Sequence, residues 1–358
     1  MPEVLPQIEV AIAAPTGAVG QRFVEILSNH PYFNVAALAA SHRSIGKQYG
    51  EAVDWRLDSE LPPEVAEMEL QPLAELERKA SPDVVFSALP GKKAELPELM
   101  MAVAGKAVFT NAPDHRMDKY VPLVIPEVNA YHMWLVDEQT KRGFIAANAN
   151  CSSIMATLMM APLAQSFGIE EAHIFTEQAL SGAGYPGVSA MDITDNVIPF
   201  IAGEADKLRR EPLKMLGTPY NPAIFPIFPS VSRVNVRDGH LIIAHISMKD
   251  TVELEQVEQA LREFRGPEGP EEVRGLPSAP VRPIHVLDQP DRPQPRLDRD
   301  AENGMSISVG QIAEEPKRDS LGHKVFTVIG LGHNTIRGAA GGSVLNAELA
   351  YAMGLIKL

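Results

Sequence analysis

The sequence predicts an α/β chain of two domains, the first built on a parallel sheet and the second an α+β unit with a mostly antiparallel sheet. Three observations lead there. The chain has 358 residues, more than one ordinary core accommodates. Its first 150 residues alternate short apolar runs with helical stretches: IEVAIAA, QRFVEILSNH and FNVAALAA, then DVVFSAL, KAVFTN and FIAAN. Such runs between helices mark βαβ units on a parallel sheet. Beyond residue 151 the pattern changes. EEAHIFTEQAL, HLIIAHISM, GMSISVG and KVFTVIG resemble longer antiparallel strands, with LEQVEQALREF as an amphipathic helix beside them.

Composition narrows the function. Hydrophobic residues make up 45% of the chain and charged residues 22%, as in a soluble globular protein. A single cysteine excludes a disulfide framework and suits a reducing compartment. The opening MPEVLPQIEV has neither a basic leader nor an apolar span, so a cytoplasmic protein with no membrane partner is expected. A formal charge of −14 argues against nucleic acid as a partner. The ten histidines show no HExxH and no paired Cys/His spacing, so no metal site is expected.

The first element is VAIAAPTGAVGQRFVEIL, a strand, a glycine-bearing turn and a helix in the order a dinucleotide site requires. Gly17 and Gly20 would let the backbone approach a pyrophosphate at the helix N-terminus, while Ala14 stands where the first glycine is usual and Pro15 removes one N–H. About twenty residues further on, where a carboxylate would bind the ribose of NAD, the chain reads ASHRSIGK. Ser41, Arg43 and Ser44 can instead bind a 2′-phosphate, which selects NADP; a solvated basic loop is the alternative. Residues 1–150 are thus expected to form a Rossmann-type NADP-binding domain, completed by a C-terminal helix at about 335–358, and residues 151–334 a catalytic and oligomerisation domain. Between Gly266 and Gly304 lie eight prolines, expected to form an extended, irregular segment.

The lone thiol, Cys151, sits in ANANCSSIMATLMM. A buried packing role is one possibility, since free cysteine behaves as a small hydrophobe. The other is nucleophilic, because Ser152 and Ser153 follow it at the first turn of a helix, where free N–H groups and the dipole favour thiolate. In SVSRVNVRDGHLIIAH, Arg233 and His240 stand at two ends of a bent strand or of a strand and turn. Arginine offers the planar fork that fits a carboxylate, and imidazole exchanges protons near neutral pH.

Taken together, these residues resemble aspartate-β-semialdehyde dehydrogenases of the archaeal and fungal-like branch. The resemblance spans nearly the whole chain, through PTGAVG, TNAPDHRMDKYVPLVIPEVN, NANCSS, QALSGAGYPG, GEADKLRREPLKMLG, RVNVRDGH, RPQPRLDRDAENGMSISVG and HNTIRGAAGG. Two departures stand out: Ala14-Pro15 in place of Gly-Ala in the loop, and NAN in place of Asn-Pro-Asn before the cysteine.

The resemblance implies roles residue by residue. Cys151 matches the nucleophile, His240 the acid/base residue, Gln178 the glutamine that orients substrate and Asn150 the asparagine beside the nucleophile. Arg233 matches the arginine for the substrate α-carboxylate, Glu204 the carboxylate for its ammonium, and Arg116 and Lys207 the phosphate-binding cations; Ser181 and Gly182 complete the substrate loop. Cofactor contacts are implied at Thr16, Gly17, Ala18, Val19, Gly20, Ser41, Arg43, Ser44, Ser87, Pro90 and Asn334. The implied reaction is the NADPH-dependent conversion of L-4-aspartyl phosphate to L-aspartate 4-semialdehyde and phosphate through a cysteine thioester, and the implied assembly is a homodimer or homotetramer. A malonyl-CoA reductase on the same scaffold would keep the thiol, base and cofactor loop, but its substrate has no ammonium for Glu204 to bind; the same argument counts against an N-acetylglutamyl phosphate reductase. A non-catalytic NADP-binding redox sensor is the alternative of another class.

Overall fold

The short apolar runs of the first 150 residues become one seven-stranded sheet, parallel throughout, in a computed structural model that describes residues 7–267, 272–316 and 318–356. Its strands are β1 (Ile8–Ala13), β2 (Phe33–Ala40), β3 (Leu70–Pro72), β4 (Val84–Ser87), β5 (Ala107–Thr110), β6 (Leu123–Val124) and β7 (Phe144–Asn148), in the order β3-β2-β1-β4-β5-β7-β6. The strand order reverses direction beside β1, so β1 and β4 splay their connections apart at their carboxyl ends and leave a crevice there. The strands are mostly apolar because both faces are covered: every residue of β4, β5 and β7 is buried.

On one face the helix Ala18–Leu27 buries Phe23, Val24 and Leu27. Phe23, Phe33, Phe86, Phe109 and Phe144 form a run of rings across this layer, with centroids 5.1 to 5.9 Å apart. Each such pair contributes roughly 0.5–1.5 kcal/mol beyond its buried area. The C-terminal helix Gly341–Ala352 packs into the same layer through Val344, Leu345 and Leu349. Its Glu348, fully buried, is held by His30 at 2.8 Å and by the Ser278 N–H. The end of the chain is thereby tied back to the first sheet.

The second sheet has six strands: β8 (Ile169–Gln178), β9 (Ile227–Arg233), β10 (His240–Met248), β11 (Ile284–Val286), β12 (Ile307–Glu314) and β13 (Val325–Gly332), ordered β11-β12-β13-β10-β8-β9. Its three inner pairings are antiparallel, as expected, but both outer ones, β8 with β9 and β11 with β12, are parallel. A parallel pair needs a crossover of a dozen or more residues, and both connections are long enough; the first contains the helix Glu204–Leu216. The proline-rich stretch is not wholly irregular, since β11 lies within it. The amphipathic helix falls where expected, at Leu254–Glu263.

Between the two sheets lies the helix Cys151–Phe167, whose residues Ser152 to Leu163 are all buried. A helix apolar on all sides is one covered on all sides. Its approach to the second sheet is close because β13 has glycines opposite it: a Cβ on Gly330 would lie 2.3 Å from Met159 Sδ. Among the described residues no helix is long and apolar enough to cross a membrane.

Candidate active site

The strand β7 ends at Asn148, and two residues later Asn150 caps the central helix. Its Oδ1 accepts from the N–H groups of Ser152 and Ser153 at 3.1 and 3.2 Å, which fixes the helix start and places Cys151 in the first turn. The rest of Asn150 is also held: its N–H donates to Glu211 Oε2 at 2.7 Å and its Nδ2 to Glu204 Oε1 at 2.6 Å. Both carboxylates lie on the helix Glu204–Leu216, seven residues and two turns apart, so they share one face. On its other side Cys151 meets a single π-helical turn, Ile336–Ala340, where a Cβ on Gly338 would come within 2.7 Å of the cysteine Cβ. That turn is pinned by the buried Arg337, whose two terminal nitrogens reach Glu127 at 2.8 and 2.6 Å.

Three strand ends meet beside the thiol. β8 runs between β9 and β10, so its last residue, Gln178, is paired with Arg233 at the end of β9, while His240 opens β10 on the other side. Cys151 Sγ lies 3.2 Å from His240 Nε2. The next residue, Ala179, is fully buried and orients two functional groups at once. Its N–H donates to His240 Nδ1 at 3.0 Å and its carbonyl accepts from Arg233 Nη1 at 2.6 Å. Gly182 packs over the same pair, where a Cβ would lie 2.9 Å from Arg233 Nη1 and 3.0 Å from His240 Cε1. A side chain there would press on both and shift at least one of them.

Burial dominates the electrostatics. It pushes the Cys151 thiol up to about 12, with Glu204 adding to the rise and Lys207, Arg116 and the Ser152 N–H opposing it. Burial also pulls His240 down to about 3, assisted by Arg233 and His333. Both shifts disfavour the ion pair and favour the neutral forms of thiol and imidazole. Desolvation thus opposes the helix start, whose dipole contributes roughly 0.3–1 kcal/mol toward thiolate; Cys151 itself is half-buried and lines the cleft described below.

A cleft of about 790 Å³ runs from the loop after β1 to Cys151. Thr16, Gly17, Ala18 and Val19 line it at the β1 loop, with Ser41 and Arg43 beside them; Pro90, Ser181, Gly182 and Asn334 line its middle, and Asn150, Cys151 and Arg116 its far end. Asn334 is fixed by donating to Ser181 Oγ at 2.7 Å and accepting from the Gly239 N–H at 2.8 Å.

Several expected residues stand elsewhere. A Cβ on Gly20 would meet Ala14 O at 2.2 Å, so this glycine serves the packing of helix against loop and does not line the cleft. Ser44 does not line the cleft, its N–H donating to Ser41 O, and Ser87 is buried with its hydroxyl on Glu98 at 2.6 Å. Gln178 is also buried, and its amide donates to Thr176 Oγ1 at 3.3 Å within the sheet. Ala14 takes the left-handed backbone (φ +62°) that the usual glycine would adopt, at a cost on the order of 1 kcal/mol.

The charged side chains nearest the thiol, Arg116, Lys207, Glu204 and Arg233, are all engaged. Arg116 donates to Asn148 O, Glu211 Oε1 and Asn111 O at 2.9, 3.1 and 2.7 Å. Lys207 pairs with Glu204 at 3.0 Å. Sequence patterns missed Ala179, Gly338, Asn111 and Glu211. Asn111 lines the cleft, and its buried Nδ2 has no partner among the described residues. Only Glu211 left a signal, its spacing of seven from Glu204.

Comparison with known proteins agrees with this geometry. The NAD-binding domain of semialdehyde dehydrogenases matches residues 9–135, and the semialdehyde dehydrogenase dimerisation domain matches residues 160–337. The chain is 44% identical to aspartate-semialdehyde dehydrogenase of Archaeoglobus fulgidus, covering 95% of this chain and 97% of the relative. It is 39% identical to that of Aspergillus fumigatus, covering 98% and 99%. Among solved structures, the enzyme from Candida albicans with NADP superposes with a TM-score of 0.87 at 38% identity, over 98% of this chain and all of that one. By sequence and by fold, the chain belongs to the aspartate-semialdehyde dehydrogenase family.

Proposed function

We propose that this chain converts L-4-aspartyl phosphate to L-aspartate 4-semialdehyde and phosphate with NADPH, in the biosynthesis of lysine, threonine, methionine and isoleucine. The observation that carries this is the 3.2 Å contact between Cys151 and His240 at the head of the cleft, with Arg233, Glu204, Lys207 and Arg116 gathered around it. The cleft suits NADP(H). Its volume falls in the range of cofactor sites, Ser41 and Arg43 stand at the β1 end for a 2′-phosphate, and Asn111 offers an unused donor.

Arg233 would receive the α-carboxylate and Glu204 the ammonium, while Arg116 and Lys207 hold the phosphate. In the free protein Lys207 and Glu204 satisfy each other. A substrate carrying both charges exchanges this pair for two new ones, whereas a substrate with phosphate alone would draw Lys207 away and strand Glu204. The sulfur of Cys151 attacks the acyl carbon, N–H groups at the helix start stabilise the oxyanion, and phosphate leaves a thioester on the enzyme. Bound NADPH supplies hydride to that thioester. His240 Nε2, in contact with sulfur, assists its departure as the aldehyde forms. The free thiol this chemistry needs suits a reducing cytoplasm.

A second copy of the chain is the proposed partner. The outer face of the six-stranded sheet exposes Phe175 and Phe228 at 43% and 48%, with His173 stacked on Phe228, an apolar face that suits a homodimer; a tetramer would pair two such dimers. Sedimentation equilibrium checks this. The function is checked by incubating the protein with aspartate semialdehyde, phosphate and NADP and following NADPH absorbance, with turnover expected. Turnover of malonyl-CoA with NADPH in its place would select the acyl-CoA reductase, and inactivity toward both would favour the redox sensor.

A further inference from the structure

We infer that Lys214 is a positioning residue of the phosphate site: its ammonium ties the loop that carries Arg116 to the helix that carries Lys207, and so sets the spacing of the two cations proposed to hold the phosphate. This role rests on the function proposed above and belongs to a side chain that touches no substrate.

The helix Glu204–Leu216 presents four charged residues on one face, because Glu204, Lys207, Glu211 and Lys214 follow one another at helical spacing. Three of them act at the thiol end. Glu204 and Glu211 hold Asn150, and Lys207 pairs with Glu204. Lys214, at the other end of the stripe, reaches across to the loop between β5 and β6. Its Nζ donates to the carbonyls of Arg116, Asp118 and Val121 at 2.7, 2.9 and 2.9 Å. An ammonium has three donors, and each meets an acceptor.

That loop needs a tie. From Pro113 to Val121 it is built of successive turns, in which the N–H groups of Arg116, Asp118 and Val121 donate to Pro113 O, His115 O and Asp118 O. His115 anchors one side to the helix Glu95–Val103, through a contact of Nε2 with Glu95 O at 3.2 Å. Lys214 anchors the other. The Arg116 guanidinium uses one N–H each on Asn148 O, Glu211 Oε1 and Asn111 O, which leaves two of its five for an anion. Where those two point depends on the backbone of residue 116, and Lys214 holds that backbone by its carbonyl.

The tie depends on charge. Burial pulls the Lys214 ammonium down to about 8, with Asp118 and Glu211 opposing the fall. These two carboxylates, the Arg116 guanidinium on Glu211, and His132, whose own charge Lys214 disfavours, are the titratable and charged groups around it. Below this value three donors meet three carbonyls. Above it the neutral amine keeps two donors and turns a lone pair toward the third carbonyl, so the loop is held less firmly as pH rises.

The test uses the full chain with aspartate semialdehyde, NADP and inorganic phosphate, each varied in turn. Lys214→Met keeps the reach of the side chain and removes its donors. At pH 7 its KM for phosphate should rise roughly tenfold or more, the scale of a binding group displaced by up to about 1 Å, while KM for NADP and for the semialdehyde stay within about twofold of wild type. A merely structural role would lower the folded fraction, and with it kcat, without moving the phosphate KM. That result overturns the inference, as does an equal rise in all three constants. The pH profile is the second readout. Between about pH 7 and about pH 9.5 the ratio of variant to wild-type phosphate KM should fall toward one, because the wild type loses its third donor over this range; a constant ratio overturns the inference. Should the methionine variant fail to fold, Lys214→Gln, which keeps two N–H donors, carries the same comparison with a smaller rise. Wild-type inactivity toward these substrates would instead sink the proposed function, a result distinct from all of these.

Discussion

Cys151 and His240, 89 residues apart in the chain, meet at 3.2 Å because the helix after β7 and the first residue of β10 converge on one point between the two sheets. The contact joins a group made nucleophilic only when deprotonated to a group that stabilises the deprotonated form. Replacing Cys151 by serine should reduce turnover by at least about a thousandfold, since an alkoxide is far harder to form in this buried site. NADPH binding, followed by quenching of protein fluorescence, should persist, and an active Cys151→Ser enzyme would rule out the thioester.

Gly182 tests whether the two strand-end groups need their positions. A methyl there would press on Arg233 and His240 together, at 2.9 and 3.0 Å. Displacement of catalytic groups by a fraction of an ångström to 1 Å costs on the order of a hundredfold. Gly182→Ala should therefore lower kcat/KM by roughly ten- to a hundredfold while leaving the unfolding midpoint in urea nearly unchanged. Wild-type kinetics in this variant would show that the loop yields.

Arg43 stands exposed at the β1 end of the cleft. If it reads a 2′-phosphate, Arg43→Glu should weaken NADP binding by roughly ten- to a hundredfold and leave NAD binding unharmed or improved. Competitive titration of the two cofactors decides it; equal loss for both would place the arginine outside cofactor selection.

Discrimination for the ammonium is tested by Glu204→Gln, which keeps an acceptor for Asn150 while removing the charge that pairs with Lys207. Preference for the amino-acid substrate over its deaminated analogue should fall roughly a hundredfold, the worth of one unpaired buried charge. Unchanged preference would reopen the acyl-CoA alternative.

What could be seen in the sequence depended on whether a feature repeats along the chain. IEVAIAA, FNVAALAA and DVVFSAL signal parallel strands because both faces of each are covered, and the resulting runs are continuous. β9 is harder to see, since IFPSVSR is an edge strand with a proline in its middle, and β11 is three residues inside a proline-rich stretch. In the site, Cys151, Arg233, His240 and Glu204 have side chains whose chemistry is visible in the residue type. Ala179 acts through its backbone, which every residue shares, and Gly338 acts through the absence of a Cβ. The electrostatic balance at Cys151 is hard to read for a related reason: a helix start is visible locally, whereas desolvation depends on what the rest of the chain packs around it.

Buried histidines make stability depend on pH. Burial pulls His132 down to about 4 and His240 to about 3, and lowers His333 as well. In the unfolded chain each titrates near 6.5. Their folded values lie below that, so the unfolded state binds more protons as pH falls, and the stability they contribute is complete above pH 6.5 and lost on acidification. Each should cost on the order of 1 kcal/mol between pH 7 and 5.5, and the three together a few kcal/mol. Glu98 works in the opposite direction, because burial raises its carboxyl and a protonated form is favoured in the folded state. Its offset is smaller than the sum of three histidines, so urea unfolding at the two pH values should show a clear net loss at pH 5.5, and His132→Asn should remove about a third of the histidine part. Stability that is flat or rising toward pH 5.5 would mean that these rings are charged in the native protein, and would contradict the neutral imidazole assigned to His240.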